Sequence, residues 1–164
     1  RFLCVTGVQT CALPICISAS VSRSERVYEP GAGFDAELTR ETTAIALKEA
    51  GLTGQELDVV EFHDAFAIEE LLYVEALGLC REGHAAFLLE EGALDIGGQC
   101  AVSASGGLLA MGHPIGPTGI GQIAEITRQL RHEAGPRQQP GAKKGLAHMV
   151  GLGSVSVVHV LERP

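Results

Sequence analysis

Between Asp35 and Gly78 the chain alternates helix, strand and helix with almost no linker, and this alternation restricts the fold more than any other feature. Asp35 stands where an N-cap belongs, and Leu38, Thr42, Ile45, Ala46 and Ala50 then recur at helical spacing up to Gly51, a good stop signal. Residues 36–50 are therefore predicted to form an amphipathic helix. Leu57-Asp58-Val59-Val60-Glu61-Phe62 is short, β-branched and apolar, which predicts a buried strand. His63-Asp64-Ala65-Phe66 follows directly, and Ile68, Leu71, Leu72 and Leu79 restart a helical pattern that Gly78 closes. Elements joined this tightly belong to an α/β domain.

Further along, residues 80–98 are mixed and acidic, with Gly83, Gly92, Gly97 and Gly98, and read as a surface excursion with one short helix over 85–90. The stretch from Ala101 to Gly119 is too rich in Gly and Pro for any regular element throughout. It leads into a helix with Ile120, Ile123, Thr127 and Leu130 expected on one face. Two strands follow, over 145–150 and 155–161, joined at Gly151-Leu152-Gly153 by a hairpin-like turn. On the upstream side, residues 18–33 are polar and end in Pro30-Gly31-Ala32-Gly33, as a connector or truncated strand would.

Composition narrows the class. The 164 residues suit one domain, and 46% hydrophobic residues exclude a disordered or fibrous chain. With 4% aromatic residues and no Trp, the core is expected to be aliphatic. A net charge of -8 leaves no basic stripe for a phosphate backbone, so nucleic acid is not an expected partner. No apolar run reaches the roughly 18 residues of a membrane span.

Residues 1–16 (RFLCVTGVQTCALPIC) stand apart. Back-translated, Val5 to Ile15 resembles a common sequencing-library adapter read in frame, so this stretch is expected to lie outside the fold and the true upstream sequence to have been lost. The organisation expected is residues 1–16 as an artefact segment, 17–33 as connector or truncated strand, and 34–164 as the folded domain. Setting the first segment aside leaves Cys80 and Cys100 as the secure thiols; with no CxxC and no paired His, they form neither a zinc site nor a disulfide framework. No metal is expected, and the chain reads as cytoplasmic.

Chemistry concentrates at a few places. His113 lies between Gly112 and Pro114 just before a helix, where a fixed, side-chain-poor backbone lets a substrate approach while the imidazole keeps one orientation. The plain alternative is a loop histidine that hydrogen-bonds a turn. His63 lies at the C-terminal end of a buried strand, where α/β folds place ligands, or else is satisfied there by a backbone carbonyl. The amides of Gly151-Leu152-Gly153 suit a developing oxyanion, with a plain tight turn as the alternative. Gly119-Ile120-Gly121-Gln122-Ile123-Ala124 formally matches a dinucleotide fingerprint, but Pro114 and Pro117 occupy the place of its strand, which excludes that reading.

His63-Asp64-Ala65-Phe66-Ala67, Ser105-Gly106-Gly107-Leu108, Gly112-His113-Pro114-Ile115-Gly116 and the closing Gly151-Leu152-Gly153 occur in the order and spacing of the C-terminal half of thiolases, and the chain resembles that family from about Phe34 to Arg163. The HDAF form is similar to the sterol-carrier-protein type and archaeal-type branches. The resemblance implies a thiolase-like half-domain, with a mixed β-sheet and helices on both faces, from an acyltransferase that works on acyl-CoA esters by Claisen chemistry. It implies that His113 deprotonates a nucleophilic cysteine from the N-terminal half, that His63 helps hold an oxyanion or its water, and that the Gly153 amide joins an oxyanion hole. It also implies substrate contact at Phe66, Ser105, Gly106, Gly107, Met111 and Gly112. Coenzyme A would be a co-substrate, with no tightly bound cofactor. The N-terminal half and further copies of the chain would be partners.

The sequence departs from the family pattern at three places. Gly151-Leu152-Gly153 stands where other branches carry a CxG thiol, Ala65 where the sterol-carrier branch has HDCF, and Ser103 where Asn is usual. Neither usual position supplies an acid/base for the α-carbon proton. Two other readings therefore stand beside acyl transfer: a carbon–carbon lyase of the same fold working with a partner subunit, and a non-catalytic acyl-CoA or lipid-handling protein.

Overall fold

The computed structural model describes residues 13–26, 34–151 and 155–164. In chain order the elements are β1 (Cys16–Ser24), α1 (Phe34–Ala50), β2 (Val59–Glu61), α2 (Ala67–Leu77), α3 (Ala85–Glu90), β3 (Ala101–Val102), α4 (Gly107–Met111), α5 (Thr118–Arg131), β4 (Lys144–Gly151) and β5 (Val155–Glu162). Single 3-10 turns lie at Gly54–Glu56 and Gly135–Arg137. The strands form one mixed sheet in the order β1-β5-β4-β2-β3. β2 is parallel to both β3 and β4, whereas β5 is antiparallel to β4 and β1.

Alternation along the strands decides which helix covers which face, because successive side chains point to opposite sides. Val60, Leu146, Val150, Val158 and Val160, with Phe62 just past β2, face a core shared with Ala46 and Leu47 of α1 and Tyr73, Val74 and Leu77 of α2. Val59, Ala101, Ala147 and Leu161 face the other way, against Ile126 and Leu130 of α5. Gly145 brings α5 down onto the sheet: a Cβ there would lie 2.4 Å from Ile126 Cγ2 and 3.1 Å from Val59 Cγ1. The expected mixed sheet with helices on both faces is the fold observed.

Some sequence expectations need correction. The face of α5 predicted from Ile120, Ile123, Thr127 and Leu130 is only partly the buried one: Leu130 is buried and Ile123 packs beside it, but Ile120 is 72% exposed, and the buried face also takes in Thr118, Gln122, Glu125, Ile126 and Gln129. Periodicity follows apolar residues, whereas this helix also buries polar ones, and Gln129 finds its partners on the turn and loop that follow the helix. Gln129 Nε2 donates to the Arg137 carbonyl at 2.6 Å, and Gln129 Oε1 accepts the Gln139 amide at 2.7 Å. The Gly- and Pro-rich stretch contains two short elements, β3 and α4.

At the start of the chain, residues 1–12 and 27–33 lie outside the described residues, and with them most of the segment expected to stand apart. Leu13 to Cys16, however, meet the folded body. Arg131 Nε donates to the Leu13 carbonyl at 3.2 Å, Ile15 packs beside Ile126 and Leu130, and Cys16 opens the β1 ladder opposite Glu162. The boundary expected after residue 16 thus falls inside β1, an edge strand whose many serines hide its alternating pattern.

Candidate active site

Parallel strands β2, β3 and β4 end at the same edge of the sheet, and the loops leaving them bring the motifs together. α/β sheets carry ligands at this edge. His63 and Asp64 follow β2, Ser103 to Gly106 follow β3, and Gly153 would follow β4 but lies outside the described residues. Ser103 takes a left-handed backbone at φ 47°, a region that Asn tolerates better than Ser does.

The two histidines expected at the site meet. His63 Nε2 and His113 Nε2 are 3.3 Å apart, and the rings stand edge to face, 4.9 Å between centroids at 82°. Their tautomers follow from the neighbours. The Thr118 hydroxyl donates to the Pro114 carbonyl at 2.8 Å, so toward His113 Nδ1, also at 2.8 Å, its oxygen accepts. This arrangement assigns the single proton of a neutral His113 to Nδ1 and turns the lone pair of Nε2 toward His63, whose own Nε2–H then donates. The remaining His63 nitrogen, Nδ1, is buried without a hydrogen-bond partner, a cheaper arrangement for a lone pair than for an N–H. Burial, and next the neighbouring His113, lower the His63 pKa, which favours a neutral His63.

Two carboxylates hold the backbone between these histidines. Asp64, 1% exposed, accepts the Leu108 amide at 2.8 Å on Oδ1. Its Oδ2 lies only 2.0 Å from where a Gly107 Cβ would be, and Gly107 also has φ +60°, so both space and backbone require glycine there. Glu61, also 1% exposed, accepts the Ser105 amide at 2.9 Å and the Ser105 hydroxyl at 2.5 Å. Ser105, Gly106 and Gly107 thus form the fixed turn into α4, and Met111 and Gly112 end that helix immediately before His113. Met111 and Phe66 are exposed.

A cavity of about 490 Å³ opens between α4 and α5, lined by Glu61, Ser105, Met111, Gly112, Thr118, Gln122, Glu125 and Arg137 among others. His63 and His113 stand outside its lining, although Gly112, Pro114 and Thr118 line it. Among the described residues no group of three or more His, Cys, Asp or Glu side chains could cage a metal ion. Burial raises the Cys80 thiol and pushes Cys100 up to about 12, so neither is a ready thiolate. Sequence reasoning missed Glu61, Asp64 and Thr118. The first had a readable signal, a lone acid inside an apolar strand, since a buried carboxylate requires partners. Thr118 offered none.

Residues 27–163 match the family model described as thiolase C-terminal domain-like. The chain belongs to the thiolase family. Human sterol carrier protein 2 is 48% identical to it over 126 residues, covering 77% of this chain and 23% of that protein. Acetyl-CoA acetyltransferase of Methanothermobacter thermautotrophicus is 46% identical over 119 residues, 72% of this chain and 31% of the relative. This thiolase-family chain thus spans less than a third of those two relatives. The solved structure of the Ltp2-ChsH2(DUF35) aldolase shares its fold, with a TM-score of 0.75 at 22% identity over 93% of this chain and 40% of that one. None of the described helices is long and apolar enough to cross a membrane.

Proposed function

We propose that this chain is the base-bearing part of a thiolase-type acyltransferase acting on acyl-CoA thioesters by Claisen chemistry. The observation that supports this reading best is the Thr118–His113–His63 arrangement, which leaves His113 Nε2 without a proton at the C-terminal edge of the parallel strands. In the reaction, a cysteine from the rest of the protein gives its thiol proton to His113 Nε2 and attacks the substrate carbonyl as a thiolate. His63 Nε2–H then turns to the oxyanion that develops, with the Gly153 amide as a second donor. Phe66, Ser105, Gly106, Gly107, Met111 and Gly112 line the approach of the acyl-CoA. Coenzyme A is a co-substrate rather than a held cofactor.

The remainder of the protein covers the exposed apolar side chains that flank both motifs in sequence, Phe66 and Ile68 on one side and Met111 and Ile115 on the other. Assembly into a homo-oligomer in the cytoplasm completes the proposal. A second reading, a carbon–carbon lyase on acyl-CoA, is favoured by Ala65 and by Gly151, which leave both usual places for the second thiol empty of one.

Steady-state kinetics of the complete protein carrying this chain tests the proposal, with a 3-ketoacyl-CoA and coenzyme A as substrates. His113→Ala should lower kcat and kcat/KM together by about 10²- to 10⁴-fold while circular dichroism stays native. A folded His113→Ala protein with wild-type kcat would contradict it. Cleavage of a β-hydroxyacyl-CoA without consumption of coenzyme A would instead support the lyase.

A further inference from the structure

The buried acid at the end of β2 has no part in the chemistry proposed above, yet its bonds lead directly to the histidine pair. We infer that Glu61 is a positioning residue: its carboxylate grips Ser105 through both the backbone amide and the hydroxyl, fixes the turn that starts α4, and through α4 sets His113 against His63. For its consequence in catalysis this rests on the reading of His113 as the base. The geometry stands independently of it.

The hydrogen-bond directions are determined. The Gly107 amide donates to Ser105 Oγ at 3.2 Å, so the serine hydroxyl hydrogen is free to go to Glu61 Oε2, while Oε1 takes the Ser105 amide. An ionised carboxylate satisfies both donors. A protonated one would direct its own hydrogen at Ser105 Oγ, leaving the serine hydrogen without an acceptor in this turn. α4 has five residues, Gly107 to Met111, and the Gly112 amide closes on the Leu108 carbonyl at 2.9 Å. A shift at Ser105 is therefore passed along one rigid turn to His113.

Glu61 faces charge from each side. Asp64 lies on the loop that leaves β2, and Glu125 approaches from α5. Arg137, from the turn after α5, is engaged with Glu125 at 2.9 and 3.2 Å. Burial first, and then Glu125 and Asp64, raise Glu61 to about 7, against the lowering effect of its bonds to Ser105. The grip is consequently expected to tighten as pH rises through neutrality.

The test uses the 164-residue chain labelled with 13C and 15N, and reads the Glu61 carboxyl carbon, the Ser105 and Gly107 amides and the His113 ring nitrogens across pH. The Glu61 carboxyl carbon should titrate with a midpoint near 7, with the Ser105 amide following it. Glu61→Gln keeps the volume and one acceptor but puts an N–H donor where the serine hydroxyl hydrogen needs an acceptor. It should abolish that step in the Ser105 amide and displace the His113 ring signals. Ser105→Ala, which keeps the amide bond, should displace them in the same direction by less, and serves if Glu61→Gln fails to fold. A folded variant of either kind whose His63 and His113 signals coincide with wild type would overturn the inference. So would a Ser105 amide indifferent to Glu61 ionisation. Neither readout requires catalysis, so loss of the acyl-transfer reading would leave the result interpretable.

Discussion

Helices α1 and α5 cover opposite faces of one sheet, and each buries polar side chains, but they satisfy them differently. On α1, Thr42 and Thr43 donate back to the Leu38 and Thr39 carbonyls of the same helix, both at 2.7 Å, and Thr39 pairs with His148 of β4 at 2.8 Å. On α5, Gln122 reaches the His148 carbonyl, Thr118 the His113 ring, and Glu125 the Arg137 guanidinium. Apart from Thr39, these α1 side chains bond within their own helix, and the face packs on the larger apolar cluster. The α5 face instead ties strand ends and loops together, and those loops carry the histidines. Its outer side shows Ile120 to solvent, the reverse of an ordinary surface helix. A scaffold face and a site-building face are thus distinguishable by where their polar side chains find partners.

The sharpest test of that contrast is Phe62, fully buried on the α1 side with its ring 5.9 Å from Tyr73 and 5.6 Å from His148. Phe62→Ala should cost about 3–5 kcal/mol in urea unfolding of the chain. A cost below about 1 kcal/mol would show that this face is not a tight core.

The same face predicts an acid limb. Burial depresses His148 to about 3, far below an unfolded histidine at 6.5. A depressed base stabilises the fold fully above its unfolded pKa, and that stability is lost as pH falls from 6.5 toward 3. The loss should be on the order of a few kcal/mol, and His148→Gln should flatten it. Glu61 runs oppositely: its raised pKa stabilises most below 4.5, and the contribution disappears as pH climbs to about 7. Stability measured against pH in wild type, His148→Gln and Glu61→Gln separates the two limbs.

Smaller effects belong to α5. Gly145→Ala pushes a methyl into Ile126 and should cost about 1–3 kcal/mol, visible as a fall in Tm. Ile120→Ala should change the stability of this chain by less than about 0.5 kcal/mol, because the side chain it removes is already in water. A large cost for Ile120→Ala would erase the distinction between the faces.

Much of this was legible from residues alone. The short helix predicted over 85–90 is α3, and the strands predicted over 145–150 and 155–161 are β4 and β5, each found within a residue of those limits. These elements repeat apolar residues at their own period, or are bounded by glycine. The His63–His113 pair was legible only as two separate motifs, since spacing of 50 residues says nothing about contact until β2 and α4 are packed. Most hidden was the framework around it. Glu61, Asp64, Gln122 and Glu125 are polar residues buried against partners 12 or more residues away, and Thr118 bonds within its own turn; a pattern built on hydrophobicity assigns such residues to the surface.

The central claim is that the fold by itself leaves His113 Nε2 unprotonated and in contact with His63. Ring nitrogen shifts and two-bond couplings of the 15N-histidine-labelled chain at about pH 8.5 read this directly, since free histidine is then neutral. The account predicts the Nδ1–H tautomer for His113 and the Nε2–H tautomer for His63, with Thr118→Val shifting His113 toward a tautomer mixture. An Nε2–H tautomer at His113 in the wild-type chain would contradict it, because that nitrogen could then accept no proton from a thiol.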